Sequence, residues 1–252
     1  MFKNLLKKFS KKDEAPSFPI QDFSIIGTDM HSHLIPGIDD GAEDMEMAIQ
    51  MVIQLKSLGF NKLITTPHVM CDYYKNSSET IINGLSNLKN ELARRNIEIT
   101  IEAAAEYYLD EEFSGKIDNE KLLTFGDNYV LFETSYINKP ENLKDVIFQL
   151  FAQKYKPILA HPERYNFLYD DFKNYQSLKE TGVFFQLNIN SIIGSYSPIA
   201  RTIAIDLIDN NMIDFVGTDA HNLNHIYNLN ACLKDKYCQK IITTASLLNN
   251  KL

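Results

Sequence analysis

Residues 24–44 read SIIGTDMHSHLIPGIDDGAED, and the succession of residue types in that stretch sets the architecture of the chain. The apolar, β-branched run at 24–29 has the length and composition of a buried strand. His31 and His33 follow, two apart on an extended chain and so on the same side of it. A helical pattern comes next. Asp39 or Asp40 is placed to cap it, Glu43 and Asp44 fall in its positive first turn, and Gly59 ends it. Its buried stripe is expected at Ala48, Met51, Val52, Leu55 and Leu58.

The same unit recurs. Candidate strands lie at 24–29, 62–66, 97–105, 128–133, 156–161, 183–188 and 213–218, with further helices at 77–95, 141–154, 170–181, 198–211 and 239–250. Strand, helix, strand repeated in this way implies parallel strands with right-handed crossovers, because only such a crossover returns the chain to the sheet. Seven units predict a closed α/β barrel. One barrel domain is expected over 21–252, behind a basic extension and Pro-containing linker at 1–20.

Hydrophobic residues make up 44% and charged residues 23%, an ordinary soluble balance with ample material for one core. The net charge of −8 argues against nucleic acid as main partner, since phosphate backbones need a basic surface. Residues 1–12 carry five lysines and no acid. Phe2, Leu5, Leu6 and Phe9 share one face of a short helix there, a pattern that suits either peripheral contact with an anionic membrane or a solvated extension. No apolar run approaches the ~20 residues that span a bilayer. Three cysteines without a CxxC pair suit a reducing cytosol, and the expected location is cytoplasmic. A thiol-dependent phosphatase loop needs Arg six residues after Cys; Cys71, Cys232 and Cys238 are followed at that spacing by Ser77, Cys238 and Thr244. That chemistry is absent.

The six histidines occur in TDMHSHL (His31, His33), TTPHV (His68), LAHPER (His161), TDAHN (His221) and a following loop (His225). Five of them lie at or just after the C-terminal end of an expected strand. Asp29, Glu106, Glu133 and Asp219 hold equivalent places. In a parallel barrel those ends converge on one face, where active sites sit. A lone strand-end histidine is commonly a structural hydrogen-bonding group, and Asp39 and Asp40 serve equally well as helix caps. An acid closing an apolar strand, as Glu133 does, is costly to bury unless paired or metal-bound. Five histidines and several acids on one face exceed what one ion needs, so two or three are expected. Mixed imidazole and carboxylate ligands suit Mn, Fe or Zn better than Mg or Ca. Closely spaced ions turn a bridging water into hydroxide at neutral pH and neutralise charge on a phosphate in an in-line displacement. Arg164 is the natural phosphate clamp, with a surface salt bridge to Glu163 as the alternative. Asn188 and Asn190 follow the one strand whose end lacks a ligand candidate and could orient substrate.

The string DMHSHLIPGIDDGAED, followed in order by TTPHV, AAAEYY, LFE, AHPER and TDAHN, resembles the polymerase and histidinol phosphatase (PHP) superfamily. Within it, HSHxxPGIDDG and AHPER are most similar to the bacterial protein-tyrosine phosphatases of capsule and exopolysaccharide operons. The resemblance covers about 25–222. It implies a distorted (β/α)7 TIM-like barrel of PHP fold with a three-ion site, most often manganese, with iron, zinc or magnesium as alternatives. By resemblance His31, His33 and Asp219 hold one ion, Glu106 bridges to a second completed by Glu133 and His161, and Asp40, His68 and His221 hold the third. Arg164 matches the phosphate-binding arginine, so Arg164, Asp219 and His221 are the expected catalytic residues. The implied substrate is phosphotyrosine on the tail of a membrane-bound bacterial tyrosine kinase. Many relatives carry a second arginine soon after TDAHN; here NLNHIYNL offers His225, which makes Arg164, Asn188 and His225 the expected substrate contacts. Two other functions compete: a small-molecule phosphomonoesterase of histidinol-phosphatase type, and a non-hydrolytic, metal-stabilised regulator of a kinase.

Overall fold

The computed structural model describes residues 20–244 and 246–252. The amphipathic pattern at 1–12 and the linker at 15–19 lie outside the described residues.

Among the described residues nine short strands carry the sheet: β1 (Thr28–Asp29), β2 (Lys62–Thr65), β3 (His68–Val69), β4 (Thr100–Ala103), β5 (Glu106–Tyr108), β6 (Tyr129–Glu133), β7 (Lys156–Ala160), β8 (Phe184–Asn188) and β9 (Phe215–Gly217). They form two parallel ladders, β1-β2-β4 and β3-β5-β6-β7-β8-β9. Nine segments appear where seven strands are expected, because two of the seven break in the middle. The second breaks at Thr66–Pro67, where proline has no N–H to give the ladder; its carbonyl still accepts from Glu106 N at 3.1 Å. The third breaks at Ala104–Ala105, between β4 and β5.

The chain closes on itself. Asp219 N donates to His31 O at 2.8 Å and His33 N donates to Ala220 O at 3.0 Å, so the first strand's extension pairs with the last. Lower down, the fully buried Asn249 replaces a ladder. Its amide donates to Thr28 O (3.0 Å) and Val216 O (2.7 Å) and accepts from Val216 N (3.0 Å). On the opposite side β4 and β6 are not paired, although β5 and β6 above them are. This is the distorted (β/α)7 barrel of the α/β class.

Among the described residues eight helices surround it: α1 (Met45–Ser57), α2 (Ser78–Arg94), α3 (Phe113–Asn119), α4 (Leu143–Ala152), α5 (Lys173–Lys179), α6 (Pro198–Asp209), α7 (Leu223–Cys232) and α8 (Lys236–Ile242). The α1 cap corrects expectation: Asp44, not Asp39 or Asp40, accepts from Met47 N at 2.8 Å. Gly59, at φ +97°, does end it. Helix α7 lies where a loop is expected, so His225 is in its first turn. Asn222 caps it by accepting from His225 N, and Ile226, Leu229 and Cys232 form its buried stripe. The final helix starts at Lys236, capped by Asp235, rather than near 239.

Alternate strand residues split between two apolar layers. Met30, Ile64, Ala104, Leu131, Ile158, Ala160 and Phe215 pack together with Phe125 in a small cluster, while Leu63, Val130, Phe132, Leu159 and Val216 join the larger core that includes the helices. The small cluster is the barrel's apolar filling. Each large side chain removed from water contributes roughly 1.5–3 kcal/mol.

Candidate metal centre

The strand ends gather their polar residues into one buried basin. Register does part of this. His68 opens β3 directly beside Glu106, which opens β5, and Glu133 closes β6 opposite Tyr108. His161 and Asp219 sit one and two residues beyond β7 and β9, both with left-handed backbone (φ 33° and 49°). Non-glycine residues avoid that region, and such strain collects at functional sites.

His31 Nε2 lies 3.1 Å from Glu106 Oε2, 3.4 Å from Asp219 Oδ1 and 3.3 Å from His33 Nε2. His33 Nε2 stands 3.6 Å from Glu106 and 3.5 Å from Asp219. His68 Nδ1 faces Glu106 at 3.2 Å and Glu133 at 3.1 Å. His161 Nε2 faces Glu106 at 3.1 Å and Glu133 at 3.9 Å. Asp40 Oδ1 is 3.4 Å from both His68 Nε2 and His221 Nε2. Among the described residues three sets offer donor atoms all within 4.8 Å of one another: His31, His33, Glu106 and Asp219; His33, Asp40, His68 and His221; and His68, Glu106 and Glu133. His161 adjoins the last set rather than joining it, and Asp29 belongs to none. Asp29 is buried below, accepting from Thr218 N and Oγ1, and burial raises its carboxyl to about 6.

These donors suit cations. Around an ion with bonds of ~2.1 Å, tetrahedral donors stand about 3.4 Å apart, close to the spacing around His31 and His33. His68 Nδ1 is buried between two carboxylate oxygens at 3.1 and 3.2 Å without a well-formed hydrogen bond to either, a setting that a cation in place of the ring's proton would complete. Burial by itself lowers the His31 imidazole, yet Glu106 and Asp219 outweigh it and lift the group to about 9. His68 is likewise lifted to about 10, against burial, by Glu106 and Glu133, and His221 to about 9 by Asp219 and Asp40. The carboxyls of Glu106 and Asp219 are held well below their usual range despite burial, by the facing histidines. A cage this negative is completed by positive charge.

Arg164 stands at the mouth. Its Nη1 donates to Asp219 Oδ2 at 2.9 Å, and its guanidinium lies between the rings of Tyr136 (4.6 Å) and Tyr196 (4.1 Å). It does not pair with Glu163, which is fully buried and accepts from Asn188 N and Ser191 Oγ. Asn188 is buried beside Asp219: its amide donates to Asp219 Oδ2 and Tyr196 Oη, both at 2.8 Å, and its Oδ1 accepts from Asn190 N. Asn190 Nδ2 donates to His225 O. His225 lines the same cavity of about 350 Å³ as Arg164, Tyr136, Tyr196 and His221, and burial lowers its imidazole.

Four contributors escape the sequence. Asp39 accepts from His33 Nδ1 at 2.8 Å, and Gln186 from His31 Nδ1 at 2.9 Å. Gln186 left a signal, a polar residue inside the apolar run VFFQLN, two before Asn188 and so on its face. Tyr136 and Tyr196 lie in loops and left none.

A closed parallel barrel with histidines and carboxylates at its strand ends, opening beside an arginine, defines a metallohydrolase of the PHP type. Residues 27–250 match the family Capsular polysaccharide synthesis, CpsB/CapC. The chain belongs to that family. It is 28% identical over 196 residues to the tyrosine-protein phosphatase YwqE of Bacillus subtilis, covering 77% of each chain. It is 22% identical over 202 residues to the tyrosine-protein phosphatase CpsB of Streptococcus agalactiae, covering 78% of this chain and 83% of that protein. The crystal structures of YwqE from Bacillus subtilis and CpsB from Streptococcus pneumoniae, described as unique metal-dependent tyrosine phosphatases, include one that matches with TM-score 0.75 at 26% identity, over 81% of this chain and 84% of that one. A histidinol phosphate phosphatase from Lactococcus lactis shares the fold, with TM-score 0.51 at 13% identity over 82% of this chain and 93% of that one.

Proposed function

We propose that the protein is a metal-dependent protein-tyrosine phosphatase serving capsular polysaccharide synthesis. The observation that carries this is the convergence of three donor sets beside a tyrosine-flanked arginine, in a chain of the CpsB/CapC family. His31, His33 and Asp219 would hold one ion, Glu106 would bridge to a second held with Glu133 and His161, and Asp40, His68 and His221 would hold the third; manganese is our choice of metal. Bound there, the ions supply an activated water and a positive field for the phosphoryl oxygens.

The chain's own residues do the rest. Arg164 presents the unbonded part of its guanidinium to phosphate while Asp219 and the two tyrosine rings hold its plane. Asn188 holds Asp219 from behind. His221 and His225 flank the cavity, and His225 would give phosphate a weaker donor than an arginine would. A phenolate leaving group, with a pKa near ~10, needs less protonation than an alkoxide. The substrate we propose is phosphotyrosine on a membrane-bound tyrosine kinase, met from the cytoplasmic side. Among the described residues no helix is long and apolar enough to cross a membrane.

The test is hydrolysis of phosphotyrosine and phosphoserine peptides and of histidinol phosphate, with manganese and after chelation. Metal-dependent turnover that favours the phosphotyrosine peptide supports the proposal. Faster turnover of phosphoserine peptide or histidinol phosphate would refute the substrate.

A further inference from the structure

Behind the paired imidazoles, Gln186 and Asp39 repeat one arrangement. Gln186 Oε1 accepts from His31 Nδ1 at 2.9 Å and from the backbone N–H of His161 at 3.4 Å. Asp39 Oδ2 accepts from His33 Nδ1 at 2.8 Å and from the backbone N–H of His68 at 3.1 Å. In each case a single oxygen joins a ring of the HSH stretch to the peptide of a histidine on another strand. A peptide N–H can only donate, so the Gln186 atom it meets is the oxygen and not the amide nitrogen. The Nδ1 sharing that oxygen must then carry a proton, and in the neutral ring Nε2 keeps the lone pair.

We propose, resting on the metal-dependent reading above, that Gln186 and Asp39 are positioning residues that lock tautomer and ring plane in His31 and His33. Both Nε2 lone pairs are thereby aimed at the space they share with Glu106 and Asp219. The two backing groups differ in charge. His33 belongs to two donor sets and is backed by a carboxylate; His31 belongs to one and is backed by a neutral amide. A carboxylate behind an imidazole makes it a stronger ligand, so His33 is the more basic donor of the pair.

Gln186 keeps its place at a cost. Its Nε2 is buried without a partner and lies where a Cβ on Gly217 would come within 2.9 Å of it. An aliphatic side chain would fill the same space with no orphaned donor. What the position retains is the oxygen.

The experiment measures manganese binding to the metal-stripped full chain by titration calorimetry, with metal content after dialysis, for wild type, Gln186→Met, Gln186→Glu and Asp39→Asn. Far-UV circular dichroism establishes folding of each. Gln186→Met is expected to weaken one ion by on the order of 10–100-fold, the usual effect of losing such a partner. Gln186→Glu, which keeps an acceptor, should restore binding to within about threefold of wild type. Asp39→Asn, which keeps an acceptor but loses the charge, should weaken the same ion by less than Gln186→Met does. Wild-type affinity in folded Gln186→Met overturns the inference alone, as does failure of Gln186→Glu to restore it. Wild type that binds no manganese overturns the metal-dependent reading as well.

Discussion

Arg164 Nη1 and Asp219 Oδ2 meet at 2.9 Å, and the contact divides the carboxylate's work. Asn188 Nδ2 reaches the same oxygen at 2.8 Å. Oδ1 is left facing His31, His33 and His221 at 3.4, 3.5 and 3.3 Å. Replacing Arg164 therefore removes a phosphate donor and frees a buried ligand at once. Arg164→Ala should lower kcat/KM on a phosphotyrosine peptide by about 10²–10³-fold. Arg164→Lys, which keeps the charge and loses the planar fork, should recover only part of it.

Protonation gives a second prediction. In the metal-free protein His31, His68 and His221 are lifted to about 9, 10 and 9, above the ordinary ~6.5 of an unfolded histidine. At neutral pH these rings carry protons that an ion must displace. Metal uptake near pH 7.5 should release protons, seen as binding enthalpies that scale with the ionisation heat of the buffer. A folded pKa above the unfolded one stabilises fully below pH ~6.5 and is lost as pH rises through the folded value. The melting temperature of the metal-free protein should fall between pH 7 and 10, and manganese should suppress the fall. A flat profile without metal contradicts this.

Gly217 is required for close approach. A Cβ there would stand 2.7 Å from His31 Cβ and 2.9 Å from Gln186 Nε2. Gly217→Ala should destabilise the fold by about 1–3 kcal/mol in urea unfolding and should lower metal content too, since the displaced ring is a proposed ligand. Unchanged metal content would show that His31 tolerates the shift.

Asn249 makes three buried backbone hydrogen bonds that tie β1 to β9. Asn249→Ala orphans those groups and should cost about 3 kcal/mol, since each unsatisfied buried group costs ~1–3 kcal/mol. Denaturant midpoints check this, and a loss below 1 kcal/mol would mean that water replaces the amide.

The barrel was legible because strand and helix periods are local. Apolar runs such as those ending in His161 and Glu133 announce strands, and histidines at their ends announce a shared face. Interruptions were less legible: the β2/β3 break needs Pro67 to face a ladder that only the folded sheet supplies. Helix α7 was hidden because NLNHIYNLN is polar at most positions, leaving Ile226 and Leu229 as a sparse stripe. The residues supporting the site were hardest. Gln186 and His31 are 155 positions apart, and nothing local in either segment states that they meet. Asp39 was visible, but an acid before a helix reads as a cap.

The Asn249 tie has a consequence for biosynthesis. Proposed ligands run from His31 to His221, and all of them precede the residue that draws the barrel's two ends together. During vectorial synthesis N-terminal segments can fold first, yet here the imidazoles at 31 and 33 must wait for Asp219, and the seam must wait for Asn249. A nascent chain stalled before that asparagine would hold every proposed ligand in an unsealed scaffold. Truncation that removes Asn249 should therefore leave the seam open and yield protein deficient in metal rather than merely shortened.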